Sequence, residues 1–411
     1  MGRHWIVALG CVCLTACTST ESGTAERDGL MYALTSDGLR SLLSSAQAGE
    51  VVHLDPAGSF EGTFRIPSGV SLDGHGATLV SFDSAGLVVE DVSGSVFVRN
   101  LTLESDMGGL VAYEGAGDGE LTLESLTVTV ARGFGIAIEN LDVVVRGVTV
   151  QGPISGSDDP VLDQLGEQID GSEHAILGFV AAFGTVTVED LNVSGFGGFG
   201  AIFYQTAGIW RGGEVSHCVG VSVLVERSEL EIESVLIRDG LAGRKIGFAM
   251  LSLGLVAADS TQLMTGRLRV ETIRDIGVLQ SASDTVHEDL QVREAGWFGL
   301  LAIPGEQSRG TLRVSGVAGS GIESARGAGL AALGLASVHL EALSVDNTKL
   351  RPSIGDGMDI YEVGDGLVFV GVSETLTLRD VEVVDNPRIG LLFDGGPGGI
   401  APTFDIDGVW V

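Results

Sequence analysis

The 411-residue sequence predicts an all-β solenoid in which short parallel strands stack coil upon coil behind one short N-terminal helix. Composition is the first reason. Gly supplies 62 residues, Pro only 9 and aromatics 6%, against an apolar share of 44%, which excludes collagen and disordered tracts. Repetition is the second: an apolar-x-apolar phrase returns mostly 20 to 30 residues apart. The third is what lies between the phrases. No helical pattern long enough for βαβ units separates them, and most lack the Asn-Gly or Asp-Gly dipeptide of a tight hairpin. A repeat architecture lets a chain of this length form one elongated body.

The N-terminus carries Arg3, an apolar stretch from Trp5 to Leu14, and then Leu14-Thr15-Ala16-Cys17. This has the parts of an export signal whose apolar region is too short to span a bilayer as a mature helix. It resembles the bacterial lipobox. The resemblance implies cleavage of residues 1–16, lipid on Cys17 and anchoring to a bilayer of the cell envelope. Thr18, in place of an Asp, implies the outer membrane. The alternative is an ordinary secretory signal with a chance cysteine. Residues 17–35, small and polar, read as a tether. Loss of Cys11 and Cys13 with the signal leaves Cys218 as the only unmodified thiol, expected to be a small buried apolar residue.

Ser36 or Asp37 can cap a short helix whose Leu39, Leu42, Leu43 and Ala46 share one face and close the end of the core. The recurring phrases follow: Leu101-Thr-Leu103, Leu126-Thr-Val128, Val148-Thr-Val150, Leu191-Asn-Val193, Val235-Leu-Ile237, Leu268-Arg-Val270, Leu290-Gln-Val292, Leu312-Arg-Val314, Leu343-Ser-Val345 and Val381-Glu-Val383. Many are followed by a Gly-apolar-x-apolar phrase, such as Gly135-Ile-Ala-Ile138 or Gly299-Leu-Leu-Ala302. Alternation turns one face of each strand inward, and the glycines are expected to supply tight or left-handed turns.

The run from Ala48-Gly-Glu-Val-Val-His-Leu-Asp-Pro-Ala-Gly58 to Ile66-Pro-Ser-Gly-Val-Ser-Leu72-Asp-Gly-His-Gly76-Ala-Thr-Leu79 resembles the opening of pectin-lyase-like right-handed parallel β-helices. The resemblance covers residues 36–386 and implies right-handed coils. Residues 387–411 read as a last coil or end cap. Either Trp410 folds over the open end, or the gene model is truncated.

Acidic residues outnumber basic ones by 55 to 23, a formal net charge of −32. Such a field argues against nucleic acid, and against polyanionic substrates unless a divalent cation bridges them. The family includes pectate lyases and polygalacturonase-type hydrolases, whose Asp-Asp, Gly-His-Gly and Arg-Ile-Lys motifs follow that chain order. Here Gly74-His75-Gly76 precedes Asp158-Asp159, and His75 reads as part of the opening turn. Two acidic segments are candidate sites. Residues 153–173 hold Asp158 and Asp159, with Arg211 as a base from elsewhere; Gly355 to Gly366 holds Asp356, Asp359 and Asp365, a Gly/Asp pattern suited to calcium. The scattered His174, His217, His287 and His339 lack zinc-ligand spacing.

Two functions follow as expectations. One is a non-catalytic, surface-anchored β-helix scaffold that presents an elongated face to glycans or another envelope protein. The other is a polysaccharide lyase or glycoside hydrolase using carboxylates of the 153–173 segment. The enzyme requires at least two carboxylates and a base converging in one groove.

Overall fold

The computed structural model describes residues 23–113, 119–155, 175–241, 251–305, 309–316, 320–349, 364–395 and 402–411. Period-two alternation gives each coil three strand segments. In the coil around residue 100 these are Leu87–Glu90, then the two halves of Gly94–Ser105 bent at Asn100, after which the next coil begins with Gly108–Tyr113. Equivalent segments of successive coils pair in parallel, and among the described residues thirteen strands from Phe64–Ile66 to Leu391–Asp394 form the third face. The molecule is a right-handed parallel β-helix, the sense expected of strand-crossover-strand connections.

The corners explain much of the sequence. Among the described residues twenty-five non-glycine positions have positive φ, including Asp91, Asn100, Asn140, Asp190, Asp239 and Asp289. A single left-handed residue turns the chain from one face to the next, and Asp and Asn tolerate that conformation best because their short side chains bond locally.

The apolar phrases build the interior. Leu103, Val128, Val150, Val193 and Val215 lie in register, and Ile237, Val270, Val292, Ile322, Val345 and Val383 extend the same ladder. All are at most 2% exposed. One phrase belongs elsewhere. Leu312 and Val314 pair with Thr285 and His287 on the preceding face, and Ile322 occupies the expected rung. An apolar-x-apolar triplet fits either face, so only hydrogen-bonded register separates the two.

The glycines of the second phrase have a different role from the expected one. Gly135, Gly178, Gly200, Gly254, Gly277, Gly299, Gly329 and Gly366 sit within the third face, and none has positive φ. A Cβ on Gly135 would lie 2.1 Å from Val150 Cγ1 and 2.5 Å from the Gly178 carbonyl oxygen; on Gly299 it would lie 2.1 Å from Ile322 Cγ2 and 2.6 Å from the Gly329 oxygen. They form a ladder in which each glycine leaves room for the valine or isoleucine of an adjoining face. Lack of space, not turn geometry, requires them.

Helix Ser36–Ser45 is the only helix among the described residues, and its cap is Thr35, one residue earlier than expected, whose hydroxyl accepts from Gly38 N at 3.1 Å. Leu39 and Leu43 are buried in the main core, with Leu42 and Ala46 packed against it. Not all of residues 17–35 are tether: Thr24–Arg27 and Leu30–Ala33 form an antiparallel hairpin that starts the first sheet stack. At the other end Thr403–Asp407 adds a further parallel strand, while Trp410 is 72% exposed and bridges Glu382 without folding across the core. Cys218 is a free, buried thiol, and burial pushes its pKa up to about 12. No described helix is long and apolar enough to cross a membrane.

Candidate functional site

The corner between the second and third faces stacks His217, Asp239, Thr272, Glu294, Ser324 and Asn347, all with φ between 50° and 60°. Two residues beyond these positions the chain carries Leu241, Arg274, Gly296, Arg326 and Lys349. The backbone holds them in line: Gly296 N donates to Ile273 O at 2.9 Å, Arg326 N to Ala295 O at 2.9 Å and Lys349 N to Ala325 O at 2.7 Å. Adjacent coils lie about 4.8 Å apart, so Arg326 and Lys349 are neighbours and Arg274 is two coils away. Gly296 lets its backbone approach that of the preceding coil closely. A Cβ there would lie 1.6 Å from the Arg274 carbonyl oxygen.

Together these residues line a groove of about 530 Å³ with His217, Asp239, Thr272, Glu294 and Ser324 on its wall. His217 Nε2 is 3.9 Å from Asp239 Oδ2, and Arg238 Nη1 approaches the same oxygen at 3.5 Å. Most other arginines are spent on carboxylates, as in Arg99–Asp73, Arg146–Glu189, Arg238–Glu214 and Arg379–Asp405. Arg274, Arg326 and Lys349 have no such partner among the described residues. In a chain of net charge −32 this is a local reversal of sign. Screening confines the surrounding negative field, because the Debye length is about 8 Å at physiological ionic strength. Guanidinium and ammonium groups can hold carboxylates of a ligand, while hydroxyl, imidazole and carboxylate groups beside them can bond sugar hydroxyls or move a proton. A larger groove of about 670 Å³ on the first face is lined by Glu229, Glu231 and Asp284 with no basic residue, so it offers acids without a base.

Of the residues expected from sequence, Asp158, Asp159, Asp356 and Asp359 lie outside the described residues, as does Cys17. Arg211 belongs to an outward ladder in which Asp73, Arg99, Glu124, Arg146, Glu189, Arg211 and Glu233 alternate in charge from coil to coil. Its Nε donates to Glu233 Oε2 at 3.2 Å, and Arg267 pairs with the same carboxylate. Asp365 is 2% exposed, and Arg388 Nε lies 2.9 Å from its Oδ1. Burial raises its pKa, with the Arg388 charge opposing. The groove residues Asp239, Arg274, Glu294 and Arg326 carry no motif in the sequence. A fold-period alignment of corner positions is the signal that finds them.

The fold and groove define a parallel β-helix protein with a charged corner cleft. No protein-family model matches the chain. No curated protein matches it in sequence. Among solved structures it is similar to the full-length tailspike protein 2 of Escherichia coli O157:H7 bacteriophage CAB120, at 10% identity and a TM-score of 0.44. The alignment covers 87% of this chain, which spans 44% of the tailspike's length. It is similar to the A-module of the Azotobacter vinelandii mannuronan C-5 epimerase AlgE6, at 13% identity and a TM-score of 0.41, over 91% of this chain and 94% of that one. An alginate lyase from Paenibacillus sp. str. FPU-7 aligns at 12% identity and a TM-score of 0.32, over 70% of this chain and 93% of that one. At these identities the likeness lies in the backbone course alone.

Proposed function

We propose that the corner groove binds an acidic polysaccharide and that the protein is held at the outer membrane by lipid on Cys17. The observation that carries the binding reading is the row Arg274, Arg326 and Lys349, unpaired among the described residues and aligned along the solenoid axis beside sugar-bonding groups. A β-helix repeats its corner once per coil, so the groove suits an extended polymer better than a compact ligand. Calorimetric titration of the full chain with alginate, polygalacturonate and a neutral glucan tests it. The two acidic polymers are expected to bind, to weaken with salt, and to lose at least tenfold in affinity when Arg274 and Arg326 are both replaced by Ala. Equal binding of the neutral glucan, or no effect of the double substitution, would sink the reading.

Cleavage of the same polymer is the second reading, favoured by Asp239, Glu294 and His217 standing in one groove with the cations. Glu294 is two coils from Asp239, about 10 Å along the axis. If the polymer is cleaved, Asp239→Asn and Glu294→Gln should each lower product release by tenfold or more while binding persists. Product release unchanged in both variants would remove these residues from the chemistry, and no product from the wild type would leave a binding protein. The anchor has its own test: Cys17→Ser should move the chain from the detergent phase to the aqueous phase on partition, and an unchanged distribution would refute lipidation there.

A further inference from the structure

Near the N-terminal end the outward ladder begins with Tyr32, His53 and Asp73 in register, followed by Arg99. His75, at the bend of strand Ser71–Ser81 with φ 51°, turns its ring back toward His53. His53 Nδ1 and His75 Nε2 are 3.0 Å apart. Ligand atoms of His53, His75 and Asp73 all lie within 4.8 Å of one another.

The surroundings hold these groups in place. Asp73 is 2% exposed; its Oδ2 accepts from Arg99 Nε at 2.7 Å, and its Oδ1 accepts from Asn100 Nδ2 and His75 N, each at 3.2 Å. Tyr32 packs at a tilt against both imidazoles, with ring centroids 5.6 and 5.5 Å away. His75 also lines a concavity of about 380 Å³ with Asn100, Thr102, Ser125 and Thr127.

We propose that His53, His75 and Asp73 form a binding site for a zinc-class transition metal ion, with a fourth position left to water. Two imidazole nitrogens and one carboxylate oxygen suit a borderline metal and not calcium, which takes six to eight oxygens. Tetrahedral ligands about 2.0–2.1 Å from zinc stand about 3.3 Å from each other, so the imidazoles need separate by only a few tenths of an ångström. Arg99 and Asn100 then act on the carboxylate as orienting partners, which fixes its geometry and lessens its charge. The alternative is one proton shared between the two rings.

Zinc titration of the full chain by calorimetry, beside His53→Gln and His75→Asn, separates these. Asn tolerates the left-handed bend at position 75. The wild type is expected to bind one ion that both variants lose by tenfold or more, and calcium in excess should not displace it. The wild type also provides a check that needs no variant: cobalt(II) should give a visible ligand-field spectrum that zinc abolishes. Zinc affinity unchanged in both variants, or no cobalt spectrum, would overturn the site. Neither outcome bears on the groove, which lies several coils away.

Discussion

Replacing Gly277 by Val is expected to lower unfolding stability by about 3 kcal/mol or more, the high end for overpacking a core. A Cβ at this position would lie 2.5 Å from Val292 Cγ1 and 2.7 Å from the Gly299 carbonyl oxygen. Neither neighbour has room to yield. Val292 is fully buried in the adjoining ladder, and the Gly299 backbone belongs to a strand paired on both sides. Because coil stability is a sum of nearest-neighbour terms, damage at one rung also weakens the coupling between the two halves. Urea unfolding should therefore show an earlier and broader transition. Gly86→Ala is the control: its nearest atom would be 3.5 Å away, and little change is expected. If both variants unfold like the wild type, the steric account of the glycine ladder is wrong.

His287 should make the protein acid-sensitive. It is fully buried in the ladder that includes Ile232, Thr265, Val314 and Leu340, where an apolar side chain would fit the pattern. Its Nδ1 lies 2.9 Å from Thr265 Oγ1, while Nε2 meets no partner among the described residues. Burial pushes its pKa down to about 4 from 6.5. The unfolded chain takes up a proton below pH 6.5 that the folded chain refuses until about pH 4. Stability is thus complete above pH 6.5, falls through that window by roughly 3 kcal/mol and levels off below it. Denaturant midpoints of the wild type and His287→Leu at pH 7.5 and 4.5 isolate the effect, since other groups act on both alike. Parallel pH dependence in the two proteins would show that the buried ring is not responsible.

Neighbouring groups share this buried position. Gln280 and Thr285 are almost fully buried; Thr285 Oγ1 donates to Gln280 Oε1 at 2.7 Å, and Gln280 Nε2 donates to Thr311 O at 2.8 Å. Polar pairing inside an otherwise aliphatic solenoid marks these coils as the least redundant part of the core, because each partner left alone costs the desolvation of the other.

The sequence by itself determined the coil. Strand alternation, the length of the repeat and the amphipathic helix Ser36–Ser45 are local or periodic properties, and each returns in the structure as an apolar ladder or a plug. It also showed that glycine recurs in one phrase, although it could not say why. The reason is steric contact across faces and between coils, such as that of Gly135 with Val150 on the adjoining face and with the Gly178 carbonyl a coil away, and such contacts exist only once the register is set. The same holds for both candidate sites. His53 and His75 are 22 residues apart, a spacing that matches no local ligand motif but is about one turn of this solenoid. Asp239, Arg274, Glu294, Arg326 and Lys349 come from successive corners separated by unequal lengths of chain. Corner residues follow no hydrophobic period, so their alignment was decided by the tertiary structure, where backbone hydrogen bonds between coils bring cations of an acidic chain into one line.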